Sequence, residues 1–275
     1  MDEMLKDRVC IITGSGRGIG RSAALLFAAE GAKLVITDID EAPAAEVVSE
    51  IKKMGGQAIA VVGDVTAEGY AERLIKETVD AYGPDIDIIV NNAGYTWDAT
   101  AHKMTDKQWQ AMLDVHVTAP FKIIRAAAPY IRDNAIKEKE QQGRAKCRKI
   151  INISSVAGLD GNFGQANYSS AKAAVVGLTK TMAKEWGPFN VCVNCVAFGF
   201  IETRLTQAKE KGEIISRDGE QVAIGVPEKI RQMFTLICPL GRPATPDEAA
   251  AGILMVASPL ADYISGQVIR VTGGM

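Results

Sequence analysis

This chain lacks a charge surplus of either sign: 31 basic residues stand against 33 acidic ones, for a net charge of −2. Without a basic footprint, neither nucleic acid nor an anionic membrane is indicated as a partner. Long apolar runs are missing too. A bilayer span needs about 18–20 consecutive apolar residues, and the best candidate, Ala249 to Ala257, is short and rich in alanine. The opening residues, M-D-E-M-L-K-D-R, are charged and run straight into a strand-like segment, so no secretory signal is read there. Cysteine is scarce and odd in number, at five. Cys192 and Cys195 form a C-x-x-C inside V-C-V-N-C-V, a strand-like run in which positions three apart face opposite ways. A dithiol or metal role for that pair is therefore disfavoured, and reduced thiols in a cytoplasmic protein are the expectation. Internal repeats and low-complexity tracts are lacking. What is present, 47% apolar and 23% charged residues over 275 positions, is ample material for the core of a soluble globular protein.

The first organised unit begins at Arg8. R-V-C-I-I-T reads as a buried strand and passes at once into G-S-G-R-G-I-G, Gly14 to Gly20. An amphipathic helix follows as far as Gly31, then a strand over Lys33–Thr37 that ends in Asp38. The glycines let backbone N–H groups approach a pyrophosphate at the positive end of the helix. Asp38 is placed to accept hydrogen bonds from an adenosine ribose. A carboxylate there suits the 2′-hydroxyl of NAD and would face the 2′-phosphate of NADP charge against charge. Arg17 pulls the other way, since it could reach such a phosphate. NAD is the expected cofactor, with NADP the alternative.

The alternation continues along the chain. Helices are expected over Ala42–Met54, Ala67–Tyr82, Asp106–Ile131, Asn167–Trp186 and Pro246–Ala257, and strands over Gln57–Val62, Ile86–Val90, Lys149–Ile153, Val191–Val196 and Gln267–Val271. Strands apolar on both faces, alternating with helices, mean an α/β fold: a parallel sheet with helices on both sides. Ligands in such sheets sit outside the carboxyl ends of the strands. Asp38, Asp64, Asn91–Gly94 and Ser155 all fall at those ends. Two segments break the rhythm. Arg132–Arg148 is polar and mixed in charge, and reads as a solvated helix extension and loop. Residues 204–240, between a strand end and a helix, read as a mobile substrate lid.

The chemistry concentrates between Ser155 and Lys172. Tyr168 and Lys172 lie four apart at the head of a helical run and so share one face. A nearby ammonium favours phenolate over phenol, which is expected to draw the tyrosine pKa down from its usual ~10. A phenol so placed serves as a proton donor or acceptor. Ser155, ending the apolar run Ile150–Ile153, can bond the same substrate oxygen.

With T-G-x-x-x-G-x-G at Thr13–Gly20, N-N-A-G at Asn91–Gly94, Ser155, and Y-x-x-x-K at Tyr168–Lys172, the chain resembles the short-chain dehydrogenase/reductase family over nearly its whole length. The segment G-N-F-G-Q-A-N-Y-S-S-A-K and the tail from Gly241 to Met275 are most similar to the 3-oxoacyl-(acyl-carrier-protein) reductase branch. The resemblance implies a single doubly wound Rossmann-type domain over residues 1–275, about seven parallel strands, and a homotetramer. It implies interconversion of a secondary alcohol and a ketone with a nicotinamide cofactor. Carried over, Tyr168 is the general acid/base, Lys172 holds the nicotinamide ribose, and Ser155 orients the substrate oxygen. Gly14, Ser15, Arg17, Gly18, Ile19 and Gly20 surround the pyrophosphate. Asp38 with Ile39 takes the adenosine ribose, Asp64 with Val65 the adenine, Asn92, Ala93 and Gly94 the floor beneath, and Ile201 and Thr203 the nicotinamide end.

Two positions depart from the family pattern. His116 stands where Asn is usual, a residue whose backbone carbonyl serves a proton relay; that role survives the change, and the imidazole is a further catalytic candidate. Phe198 stands where Pro is usual before Gly199. Tyr95, Trp97, Phe163 and Phe200 are candidates to line an apolar pocket, which suits a small-molecule substrate with an apolar body. Alternatives are a hydroxysteroid, 3-hydroxyacyl-CoA or cyclic-alcohol dehydrogenase and, from a different class, a non-catalytic dinucleotide-binding module. The presence of Ser155, Tyr168 and Lys172 together argues against the last.

Overall fold

The computed structural model describes residues 3–217 and 219–275. Short runs of Val, Ile and Leu that are apolar on both faces form its central strands, because only a sheet covered on both sides hides such runs from water. In chain order the first half comprises β1 (Val9–Ile12), α1 (Gly18–Ala29), β2 (Lys33–Ile36), α2 (Glu41–Lys53), β3 (Gln57–Ala60), α3 (Tyr70–Tyr82), β4 (Ile88–Asn91), α4 (Asp106–Leu113) and α5 (Ala119–Gln142). The second half comprises β5 (Arg148–Ser155), α6 (Val156–Asp160), α7 (Ala166–Trp186), β6 (Val191–Phe198), β7 (Ile214–Arg217), β8 (Glu220–Ala223), α8 (Glu228–Ile237), α9 (Pro246–Ala257) and β9 (Val268–Val271).

Seven strands form one sheet in the order β3-β2-β1-β4-β5-β6-β9, parallel at every pairing. The strand order reverses at β1, between β2 and β4, so a crevice opens at their carboxyl ends. Alternation along each strand feeds two separate cores. Ile12 and Leu34 pack with Phe27, Val47 and Ile253 from α1, α2 and α9 on one side. Ile11 and Ile89 pack with Leu74, Ile123 and Met182 from α3, α5 and α7 on the other. The expected Rossmann-type architecture is therefore present.

A polar thread fixes the middle of the sheet. Asn91 and Asn152 are register partners on β4 and β5, and the Asn91 Nδ2 donates to Asn152 Oδ1 at 2.8 Å. Asn152 Nδ2 in turn donates to Thr179 Oγ1 of α7 at 2.9 Å. A slip of one residue would turn the amides away from their partners, and buried amides without partners are costly. The thread thus holds β4, β5 and α7, which carry the family's signature residues, in one alignment.

Two expectations from the sequence need correction. The helix read over Asp106–Ile131 is α4, a π-helical turn at Asp114–Thr118, and α5, which runs on to Gln142 before Gly143 stops it at φ 78°. The expected helix extension is there, but the segment is not solvated to its end. Arg148 is fully buried, its terminal guanidinium nitrogens meeting Glu138 at 2.6 Å and Asp85 at 3.0 Å while its Nε has no partner among the described residues. Residues 204–240, expected to form a substrate lid, carry regular structure. They fold into two 3-10 turns, the antiparallel hairpin β7–β8 and α8. On α7, Ala173, Ala174, Gly177 and Lys180 face outward in the single chain.

Breaking a buried ion pair on one side costs about 3–5 kcal/mol, and the half-exposure of Asp85 reduces that here. Arg148→Met is accordingly expected to destabilise the fold by about 2–3 kcal/mol, read as a fall in thermal midpoint at fixed protein concentration. An unchanged midpoint would show that Glu138 and Asp85 find water instead.

Candidate active site

The crevice is a single cavity of about 1150 Å³, larger than a typical drug-sized pocket and roomy enough for a dinucleotide with a substrate beside it. Gly14, Arg17, Gly18, Ile19, Gly20, Asp38, Ile39, Asp64, Val65, Asn92, Ala93, Gly94, His116, Ser155, Tyr168, Lys172, Ile201 and Thr203 all line it. Ser15 does not. Its hydroxyl donates to the Ile12 carbonyl at 2.7 Å and its N–H to the Thr37 carbonyl at 2.8 Å, so it braces the turn from within.

At one end the glycine turn and the start of α1 form a cradle for an anion. No side chain caps α1, and no acidic residue occupies its first turn, so its N–H groups and positive end face the cavity uncompensated. A side chain at Gly20 would place its Cβ 2.2 Å from the Gly14 carbonyl oxygen, closing the turn. Asp38 stands at the tip of β2. Its Oδ2 accepts from the Gly16 N–H at 3.0 Å and its Oδ1 from the Asp40 N–H at 3.1 Å, which fixes the carboxylate at the cavity edge. Arg17 is ion-paired with Asp40 at 2.6 Å. Asp64 Oδ1 accepts from the backbone and hydroxyl of Thr66 at 2.8 and 2.7 Å. Asn92 works as a strap, donating from Nδ2 to the Thr13 carbonyl at 2.9 Å, while Thr13 Oγ1 accepts from the Ala93 N–H at 2.9 Å. This end fits a dinucleotide.

The other end holds the proton-transfer groups. Ser155 closes β5 and caps α6, its Oγ accepting from the Ala157 N–H at 3.2 Å and leaving its own proton free to donate. Lys172 is buried on α7, where Nζ donates to the Ile153 carbonyl at 2.7 Å and lies 5.6 Å from the centre of the Tyr168 ring. Burial pulls Lys172 down to about 8. The tyrosine behaves contrary to expectation. Desolvation pushes the Tyr168 phenol up to about 12, a hydrogen bond with Ser155 works against that, and Asp98 adds to it. Lys172 has one N–H committed to a carbonyl and sits over the ring rather than at the hydroxyl, so in the unliganded protein it does not overcome the burial. Tyr168 is therefore a phenol at neutral pH.

His116 lies in the π-helical turn and is buried. Its Nε2 donates to the Tyr95 carbonyl at 2.9 Å, its Nδ1 has no partner, and its ring stands edge-on to Tyr168 at 5.1 Å. Burial and the charge of Lys172 hold its pKa well below the usual histidine value, so the imidazole is neutral. Gly94 is required opposite it, since a Cβ there would lie 2.2 Å from the ring. The imidazole thus packs as a wall against Tyr168.

Of the aromatic residues expected in the substrate region, Tyr95 and Phe200 line the cavity; Trp97 does not, and Phe163 is 90% exposed. The structure adds Trp109 and Phe234, the latter stacked on Phe200 at 5.1 Å. A Lys107–Glu220 ion pair at 2.9 Å ties the hairpin to α4 across this region. The sequence carried a signal for the hairpin: D-G at positions 218–219 between two strand-like runs favours a tight turn. Phe234 lay in an amphipathic stretch with nothing to say which way it faced.

Fold and site together define a nicotinamide-dinucleotide-dependent oxidoreductase of the Rossmann type. The sequence model of the family described as short chain dehydrogenase matches residues 8–214, and the chain belongs to that family. It is 37% identical over 271 residues to the 3-oxoacyl-[acyl-carrier-protein] reductase FabG of Thermotoga maritima, covering 98% of each chain. It is 34% identical over 270 residues to the (2S)-[(R)-hydroxy(phenyl)methyl]succinyl-CoA dehydrogenase subunit BbsD of Thauera aromatica, covering 98% of this chain and 97% of that one. Among solved structures, a Beutenbergia cavernae protein provisionally assigned as an NAD(P) dependent gluconate 5-dehydrogenase, with NADP bound at low occupancy, superposes with a TM-score of 0.83 at 30% identity. That match covers 98% of this chain and 97% of that one. The chain is thus an oxidoreductase similar to 3-oxoacyl-thioester reductases, interconverting a secondary alcohol and a ketone.

Proposed function

We propose that this protein interconverts 3-oxoacyl and 3-hydroxyacyl thioesters, with NAD as its preferred cofactor. The observation that carries the reading is the arrangement of one cavity: Asp38 and the bare start of α1 at one end, Ser155, Tyr168 and Lys172 at the other, and the stacked Phe200–Phe234 pair beside them. The thioester comes from the relatives in Thermotoga and Thauera, whose names specify acyl-carrier and CoA substrates. The apolar stack suits the body of such a chain.

A reduced nicotinamide, when bound, supplies the hydride. The protein's own groups do the rest. Tyr168, a phenol at neutral pH, gives its proton to the carbonyl oxygen as negative charge builds there. Ser155 donates a hydrogen bond to the same oxygen and stabilises that charge. Lys172, held by the Ile153 carbonyl, has its remaining N–H groups for the nicotinamide ribose. His116 sets the Tyr168 ring from behind. Gly14, Arg17, Gly18, Ile19 and Gly20 surround the pyrophosphate; Asp38 and Ile39 take the adenosine ribose, Asp64 and Val65 the adenine, and Ile201 and Thr203 the nicotinamide end. NAD is favoured because Asp38 fills the place of a 2′-phosphate with charge of the same sign, and Arg17 is engaged by Asp40.

The working form is a cytoplasmic homotetramer. Large apolar side chains left exposed on α5 and after α9, among them Phe121 and Leu260, support further subunit contacts. The test is initial-rate kinetics with 3-oxoacyl thioesters, steroid ketones and cyclic ketones, using NADH and NADPH, on a preparation sized by light scattering. Highest kcat/KM for a 3-oxoacyl thioester with NADH, at the mass of four chains, is the expected result. Preference for a steroid or cyclic ketone would replace the substrate, and a monomer would exclude the assembly.

A further inference from the structure

The C-x-x-C does not pair: Cys192 and Cys195 meet different neighbours on opposite faces of β6. Cys192 has another companion. Its sulfur lies 3.6 Å from that of Cys147, the residue immediately before β5. The parallel ladder explains the approach. Cys192 is the register partner of Lys149, and Cys147 lies two residues upstream of Lys149. Residues two apart on a strand share a face, so both sulfurs are directed to the same side of the sheet.

We propose that Cys147 and Cys192 form an oxidisable dithiol, a modification site that takes a hydroperoxide and closes to a disulfide. The surroundings favour the chemistry. The two sulfurs lie within hydrogen-bonding reach, and sharing a proton between them lowers the pKa of Cys192 and raises that of Cys147. Lys149, almost wholly buried, adds positive charge beside the pair, partly offset by Asp262, its ion-pair partner at 2.8 Å. Thiolate, not thiol, is the nucleophile. The pair also retains slight exposure, 8% for Cys147 and 6% for Cys192, whereas Cys10 and Cys195 have none. Burial holds those two as thiols, Cys195 up to about 11.

The steps balance. The Cys192 thiolate attacks one peroxide oxygen, the O–O bond breaks, and with one proton taken up a water leaves, giving a sulfenic acid on Cys192. The Cys147 sulfur then attacks the Cys192 sulfur, the S–O bond breaks, and the hydroxide that departs takes the Cys147 proton as a second water. Two thiols lose two electrons in all, and the peroxide is reduced to water. The sulfurs must close to about 2.05 Å, and Cys147, outside the ladder, can move to allow this.

The covalent ring so formed spans residues 147–192, a separation of 45. It encloses Ser155, Tyr168 and Lys172 but lies at the opposite end of β5 from them, about 20–25 Å away at about 3.3 Å per residue. Oxidation is therefore expected to tie down the unit that carries the catalytic groups without touching the cavity.

The test is treatment of the full purified chain with hydrogen peroxide, blocking of free thiols, and peptide mapping without reductant. The expected product is a single linked pair, the Cys147 and Cys192 peptides lighter by two hydrogens and released by dithiothreitol. In Cys147→Ser the same treatment should leave Cys192 as a sulfenic acid trapped by dimedone. The oxidised wild type should also melt above its reduced form. A Cys192 sulfenic acid that persists unlinked in the wild type, first oxidation at Cys10, Cys195 or Cys238, or five free thiols after treatment would each overturn the proposal. Because the wild-type map decides the matter, a variant that fails to fold does not weaken the test.

Discussion

Tyr168→Phe is expected to lower turnover by about 10²–10⁴-fold, the usual worth of a positioned general acid, while the reduced dinucleotide still binds. The substitution deletes the hydroxyl proposed to pass a proton to the carbonyl oxygen and leaves the ring packed against His116. Binding followed by nicotinamide fluorescence, alongside steady-state kcat, separates the two effects. Retained turnover would show that a water or Ser155 supplies the proton. The raised pKa of Tyr168 adds a directional expectation. Reduction uses the protonated phenol, which prevails throughout neutral pH, so its rate should hold steady there. Alcohol oxidation needs the phenolate and should climb as pH rises. Equal pH profiles in both directions would place the controlling group elsewhere.

The second large effect belongs to Asp38. Replacing it by Ala is expected to raise the ratio of kcat/KM for NADPH over NADH by about ten- to hundredfold, since like charges some 4 Å apart repel by about 1–4 kcal/mol between the dielectric of water and that of a protein surface. Loss of its bonds to the Gly16 and Asp40 N–H groups will loosen the turn for both cofactors, so the ratio rather than either rate is the reading that counts. The gain should grow when Asp40→Asn also frees Arg17. An exposed ion pair such as Arg17–Asp40 is worth about 0.2–1 kcal/mol, little enough for a phosphate to win the guanidinium. If the ratio stays fixed, the case for NAD falls.

Much of the site was legible because its parts are local. Gly14, Gly18 and Gly20, Asp38, Asn92–Gly94, Ser155 and the Tyr168–Lys172 pair each do something that a strand end or a single helical turn dictates, and all of them line the cavity. What escaped notice depends on residues far apart in the chain. Arg148 looked solvated because Asp85, one of its partners, is 63 positions away. Cys192 looked like half of a C-x-x-C because Cys147, its neighbour in space, lies 45 positions away, just before β5. The acidity of Tyr168 was misjudged because sharing a helix face fixes proximity but not the depth of burial, which here outweighs the amine. Phe234 joined the cavity only because α8 folds back onto Phe200.

The amide pair inside the sheet has a consequence for how this enzyme can change. Asn91 and Asn152 hold the central alignment from within the sheet, through bonds to each other and to Thr179. Segments at the rim, such as the β7–β8 hairpin between β6 and α8, can therefore be lengthened, shortened or exchanged while the proton donors stay where they are. Selectivity can drift at the mouth of the cleft without disturbing the reaction at its floor. Grafting rim segments from relatives is thus a more promising route to new substrates than substitution in the sheet.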